Sequence, residues 1–143
     1  TNMALAGISK PALAKLGCKA VCYMADPDVA AAARAAGTTR AVASMDKACG
    51  IEGPLIVAVG NAPTALLRLA ELKDAGKIAP ALVVGVPVGF VNVVESKELF
   101  LDSPVPHIIA RGRKGGSNVA AAICNALVYS AAEMLDPAAR GWQ

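Results

Sequence analysis

The sequence predicts an α/β fold: a three-layer α/β/α arrangement around a doubly wound, mostly parallel sheet. Two observations carry that expectation. From residue 55 onward, the order strand, turn, helix repeats three times. Strands alternating with helices through right-handed crossovers build a parallel sheet with helices on its faces. The second observation is the core material. Of 143 residues 55% are apolar but only 3% aromatic, so Ala, Val, Leu and Ile must fill the interior. Short runs of such residues suit strands covered on both faces. A chain of this length fits one domain, placed here at 1–135 with 136–143 as a tail that is expected to be loose over 138–143.

The elements follow in order. Ser9 is a cap, Pro11 lies in the first turn and Gly17 is a stop, which predicts a short helix over 9–16. Residues 18–24 (CKAVCYM) read as the first strand. Asp26-Pro27 opens an alanine-rich helix ending at Gly37, and Thr38 or Thr39 caps another that runs to about Cys49. After Gly53-Pro54 come a strand over 55–59, a Gly-Asn-Ala-Pro turn and a helix to about Gly76, in which Ala65, Leu69 and Leu72 recur at helical spacing. Residues 81–86 form an apolar strand, followed by Pro-Val-Gly and a helix around 91–100. A fourth strand over 107–110 leads through a glycine-rich turn into a helix over 117–135, with Val119, Ile123, Ala126 and Ser130 on one face. The whole is Rossmann-like in outline.

Charge and composition remove several function classes. A net charge of +3 without long like-charged runs, and few aromatic side chains for stacking, argue against a nucleic-acid partner. The longest apolar stretch, 79–94, is broken by Pro80, Gly85, Pro87, Gly89 and Asn92. It falls short of the roughly 20 residues a membrane helix needs, so no membrane association is expected. Cys18, Cys22, Cys49 and Cys124 contain no Cys-x-x-Cys pair. On one strand Cys18 and Cys22 would stand ~13 Å apart, too far for a disulfide. Four buried free thiols in a reducing cytoplasm are expected, and with a single histidine, His107, no metal site.

Ligands of open parallel sheets bind outside the carboxyl ends of the strands. Three unusual turns fall there: GNAPT at 60–64, VPVGF at 86–90 and RGRKGGS at 111–117. RGRKGGS sets three cations and three glycines between a strand and a helix start. Glycines let backbone N–H groups face a ligand, and the helix start adds partial positive charge, so the turn suits carboxylate or phosphate. It matches neither the dinucleotide fingerprint nor the P-loop spacing; a tight turn with solvated cations is the alternative. Asn61 reads as a helix cap with Thr64 nearby, Glu95 and Lys97 follow the second turn, and Arg40 lies near another helix start. Cations converging on one sheet edge suit an acidic ligand. His107 sits at the opposite end of its strand and reads as structural. Neither a Ser/His/Asp order nor paired carboxylates stand out.

The same turns resemble the signature segments of the precorrin-8X / cobalt-precorrin-8 methylmutase family: VGNAPTAL at 59–66, GVPVGFVNVVESKEL at 85–99 and RGRKGGSNVAAAICNAL at 111–127. The opening TNMALAGI at 1–8 is similar to a fourth family segment, and the likeness extends over about 1–132. It implies a cytoplasmic, homodimeric isomerase of cobalamin biosynthesis. Such an enzyme moves a methyl group from C11 to C12 of precorrin-8X, or of its cobalt form, to give hydrogenobyrinic or cobyrinic acid. It implies no separate cofactor, cobalt being part of the tetrapyrrole substrate, whose carboxylates agree with the anion-friendly turn. By position Arg40 matches a family arginine at the substrate site, and Met45 an apolar residue near the migrating methyl. Asn61, Thr64, Gly89, Ser96, Lys97, Arg113, Gly115, Gly116 and Ser117 lie in or beside the motif turns and are the expected ligand contacts. The family's proton-donor histidine belongs to an N-terminal segment expected upstream of Thr1, so no catalytic residue is assigned in this sequence. His107 falls where the family has an aromatic or apolar strand residue. Two competing readings are a corrinoid-binding fragment or assembly partner without turnover, and, from the fold alone, a nucleotide-dependent oxidoreductase.

Overall fold

A computed structural model describes residues 1–140 of the chain. Side-chain caps start three of its helices. Thr1 accepts the Ala4 N–H at the start of α1 (Asn2–Gly7), Ser9 that of Ala12 at α2 (Lys10–Lys15), and Thr39 that of Val42 at α4 (Arg40–Ala48). Between them, α3 (Pro27–Ala35) begins on a proline, which the first helical turn accepts because its missing N–H would be unpaired there anyway. The remaining helices each follow a strand. In order these are β1 (Ile56–Val59), α5 (Pro63–Asp74), β2 (Leu82–Gly85), α6 (Val93–Leu101), β3 (His107–Ile109) and α7 (Ser117–Ala131).

All three strands run parallel, in the order β1-β2-β3. Ile56 lies opposite Leu82, and Val83 opposite His107. Because side chains alternate across a strand, Val57, Val59 and Val83 face one core, filled by Leu66, Leu69 and Leu72 of α5, Phe100 of α6 and Ala41 and Ala48 of α4. Val84 faces the other side, where Val86, Ala4 of α1 and Ala120 of α7 meet it. The fold is therefore three-layered α/β/α, as expected. Leu66, Leu69 and Phe100 are fully buried, each contributing about 1.5–3 kcal/mol of hydrophobic stabilisation. Small residues bring α1 close to α7, and the Asn125 side chain bridges the α1–α2 joint, accepting from the Ser9 N–H and donating to the Gly7 carbonyl, both at 2.8 Å.

Four expectations are corrected. Residues 18–24 form no strand; the chain is irregular there until a 3-10 turn at Tyr23–Ala25, and Val21 is 56% exposed. A strand needs a neighbour to take its hydrogen bonds, and nothing among the described residues pairs with this segment. The segment at His107 is accordingly the third strand, not the fourth. Helix α7 stops at Ala131, and the tail is not loose over its first part: Pro137–Arg140 forms a 3-10 turn, and Arg140 donates to the carbonyls of Met134 and Leu135 while lying over the Tyr129 ring. The rest of the expected tail, 141–143, lies outside the described residues. The cysteines are free but not fully buried: Cys18 is exposed and the others half-buried, with burial pushing the Cys124 thiol up. Among the described residues, no helix is long and apolar enough to cross a membrane.

Candidate functional site

The three turns at the carboxyl ends of the strands meet through their backbones. The Gly116 N–H donates to the Val86 carbonyl at 2.8 Å, and the Gly89 N–H reaches the Arg113 carbonyl at 3.4 Å. At two glycines any side chain would collide with backbone. A Cβ on Gly60 would lie 2.9 Å from Ser117 Cα and 3.0 Å from the Gly116 carbonyl oxygen, and one on Gly115, whose φ is +152°, 2.1 Å from the Val86 oxygen. Glycine is what lets GNAPT and VPVGF close against RGRKGGS.

Beneath this junction lies a buried cation. Lys97 of α6 is fully buried, and its Nζ donates to the carbonyls of Gly112 at 2.7 Å and Lys114 at 2.8 Å. Burial, with the Lys114 charge nearby, pushes its ammonium below the ordinary lysine value. A buried ammonium is tolerated only where acceptors replace its water, and two carbonyls of the turn do so here. Above it, Arg113 is exposed, with its guanidinium 5.9 Å from the Phe90 ring centre. Phe90 and Val91 are 83% and 77% exposed and give the cationic turn an apolar rim. Arg111 is paired with Glu98 at 3.3 Å. Ser117 exchanges a hydrogen bond of 2.6 Å with the Thr1 hydroxyl, joining the chain's first residue to the same turn.

The expected contacts therefore divide. Gly89, Arg113, Gly115, Gly116 and Ser117 come together at one mouth, beside Asn61. Asn61 is exposed but not a cap, since α5 is entered from Ala62 without a side-chain cap. Thr64 lines a groove of about 320 Å³ between α4 and α5 with Thr38, Val42, Leu67, Arg68 and Glu71. Thr38 in that groove sets the start of α4 beside the start of α5. Arg40, the first residue of α4, is exposed and has no ion-pair partner among the described residues. Met45 packs against the core beneath α4. Two of the expected contacts lie below the surface of the mouth: Ser96 is fully buried and donates to the Val93 carbonyl at 2.9 Å, and Lys97 is buried beneath the turn. Their period in α6 puts both on its inner face. His107 stands at the amino end of β3, away from the mouth, its Nδ1 2.9 Å from the Val105 carbonyl. Among the described residues, no three His, Cys, Asp or Glu side chains cluster as a metal site.

Thr1 and Phe90 were not singled out from sequence. An aromatic residue in a glycine turn, in a chain with only two Phe, was the available signal for Phe90. For Thr1 there was none, because its partner lies at the far end of the sequence.

The family model for precorrin-8X methylmutase matches residues 1–130. The chain belongs to this family. A relative from Salmonella typhimurium named cobalt-precorrin-8 methylmutase is 51% identical over 130 residues, covering 90% of this chain and 60% of the relative. One from Pseudomonas aeruginosa named precorrin-8X methylmutase is 47% identical over 112 residues, covering 76% and 53%. The crystal structure of the precorrin-8X methyl mutase from Thermus thermophilus superposes with a TM-score of 0.82 at 42% identity, covering 93% of this chain and 65% of that one. The chain spans about three fifths of the length of the first curated relatives it matches. Family membership and fold thus agree with the motif turns, which lie within the matched span.

Proposed function

We propose that this chain carries the substrate-binding part of an isomerase of cobalamin biosynthesis, which moves a methyl group from C11 to C12 of precorrin-8X or cobalt-precorrin-8. The product is hydrogenobyrinic or cobyrinic acid. The carrying observation is the junction of the three turns, where Arg113 and the glycine-bounded backbone offer positive charge beside the apolar rim of Phe90 and Val91. A corrinoid ring with peripheral acetates and propionates has that same division, an apolar face edged by carboxylates. The shift is intramolecular, so the protein's task is confinement and proton management at the ring, with no separate cofactor. The family likeness supports a cytoplasmic homodimer. A second reading, binding without turnover by this stretch alone, is favoured by one observation: its single histidine is held at the far end of β3.

Ultraviolet-visible titration tests the proposal. Hydrogenobyrinic acid should produce a saturable spectral change that weakens with added salt, and NADH should not compete. Binding of NADH with no response to the corrinoid would overturn it in favour of a nucleotide enzyme.

A further inference from the structure

The helical layers reach further than the sheet between them. On one side α6 packs on β3 and on α5, α5 on α4, and α4 on α3, so α4 and α3 continue that layer past β1, the outer strand of the order. On the other side α1 and α2 pack on α7. Packed helices lie about 8–10 Å apart and paired strands about 4.8 Å. A helix laid beyond α5 therefore spans the width of about two further strands.

Backbone on that flank lacks partners in two places. The Leu55 carbonyl accepts from the Ala81 N–H at 2.8 Å and the Val59 carbonyl from the Val86 N–H at 2.9 Å, both towards β2. Hydrogen-bonding groups alternate sides along a strand, so Ile56 and Ala58 present theirs to the open edge, where no described strand pairs with them. The second place is residues 18–22, which carry the chain from α2 in one layer to Tyr23 and Met24, packed against the core of the other. The N–H groups of Lys19, Ala20, Val21 and Cys22 have no partner among the described residues, nor have the carbonyls of Lys19, Ala20 and Val21. Cys22 is already extended, at φ −144° and ψ 117°.

We propose that a parallel strand lies between β1 and residues 19–22, supplied by polypeptide leading into Thr1, and that it hydrogen-bonds to both. The occupant follows from where Thr1 stands. Its hydroxyl meets that of Ser117 at 2.6 Å, and the Ser117 Cα lies 2.9 Å from where a Cβ on Gly60 would be, which puts Thr1 at the carboxyl end of β1. Polypeptide reaching Thr1 along the edge of β1 runs parallel to it, and α1 and α2 then form the crossover to residues 19–22. Relatives of which this chain covers 60%, 61% and 58% have the length to include such a segment. With helices on both faces, the strand is a run of about five apolar, largely β-branched residues. A second copy paired edge to edge on β1 would leave residues 19–22 without partners.

Amide hydrogen exchange read by two-dimensional NMR compares the 143-residue chain with the same chain extended upstream by its own coding sequence. The amides of residues 19–22 and of Ile56 and Ala58 should exchange freely in the first and about a hundredfold more slowly, or slower still, in the second. Unchanged exchange at either stretch, or a gene with no coding sequence ahead of Thr1, would overturn the proposal. Ala58→Pro gives a second reading, because it removes an N–H that faces outward and leaves the β1–β2 ladder in place. It should lower the Tm of the extended chain by several degrees more than that of the 143-residue chain; equal losses would count against the strand. Should the variant fail to fold, the exchange comparison of the unmodified chains still decides. A 143-residue chain that sediments as a dimer, is protected at Ile56 and Ala58 and becomes monomeric with Ala58→Pro would give the edge to a second copy and refute the proposal.

Discussion

Gly115→Ala tests whether the three turns are locked together by backbone contact. The new Cβ would sit 2.1 Å from the Val86 oxygen and 2.8 Å from its carbonyl carbon, at a φ of +152° that non-glycine residues avoid. Neither neighbour is the end of a flexible side chain, so backbone must move. The strained φ costs about 1–3 kcal/mol. Displacing the turn also breaks the 2.8 Å bond from the Gly116 N–H to Val86, a further ~0.5–1.5 kcal/mol. The sum, roughly 2–4 kcal/mol, corresponds to a fall in Tm of about 6–16 °C for a domain of this size. Gly112→Ala is the control: its φ is +76°, but a Cβ there meets nothing within 4 Å, so only the left-handed backbone cost of about 1–2 kcal/mol applies. Thermal unfolding followed by circular dichroism compares the two. Equal losses, or a Gly115→Ala variant within about 2 °C of the parent, would refute the close-contact argument.

Three further outcomes are expected. Arg113→Ala should weaken hydrogenobyrinic acid binding by about 1–3 kcal/mol, with a smaller salt dependence than the parent in isothermal titration; unchanged affinity would mark the guanidinium as merely solvated. His107→Ala should leave corrinoid binding and any turnover unaltered, because the imidazole is engaged with Val105 at the other end of β3; loss of turnover with binding intact would make it a proton donor. Lys47 joins α3 to α4 through Asp26 at 2.6 Å and Asp28 at 2.8 Å, and its hydrogen bond holds Asp28 below the ordinary aspartate value. A depressed carboxyl contributes stability above its unfolded value and loses it as pH falls through its lower folded one. The Tm gap between the parent and Lys47→Met should therefore be present at neutral pH and close in acid; a gap that is constant with pH would contradict the assignment.

What the sequence determined by itself was whatever depends on neighbouring residues. Ser9 and Thr39 announced helix starts because a cap reaches only as far as the third residue on. The prolines at 11, 27 and 63 fixed first turns for a similar reason. The glycine-rich, cationic turn was readable as anion-friendly from composition alone, and its neighbours GNAPT and VPVGF were placed at the same sheet edge by the strand-turn-helix order. Asn61 is the exception among the caps: it has the right chemistry one residue too early, since the chain enters α5 from Ala62.

The tertiary structure decided what depends on distant partners. Residues 18–24 have the composition of a strand, yet strand hydrogen bonds are made to another segment, and none of the described residues supplies it. The first residue reaches the turn that precedes α7 through the Thr1–Ser117 bond, a contact no local pattern encodes. Lys97 shows the difference most directly. In sequence it is one more lysine beside a ligand-binding motif; in the fold the inner face of α6 carries it beneath RGRKGGS, where burial removes its water and the carbonyls of Gly112 and Lys114 replace it. Whether a charge meets solvent, ligand or backbone is set by the desolvation of its surroundings, and that is a property of packing between segments rather than of the residues beside it in the chain.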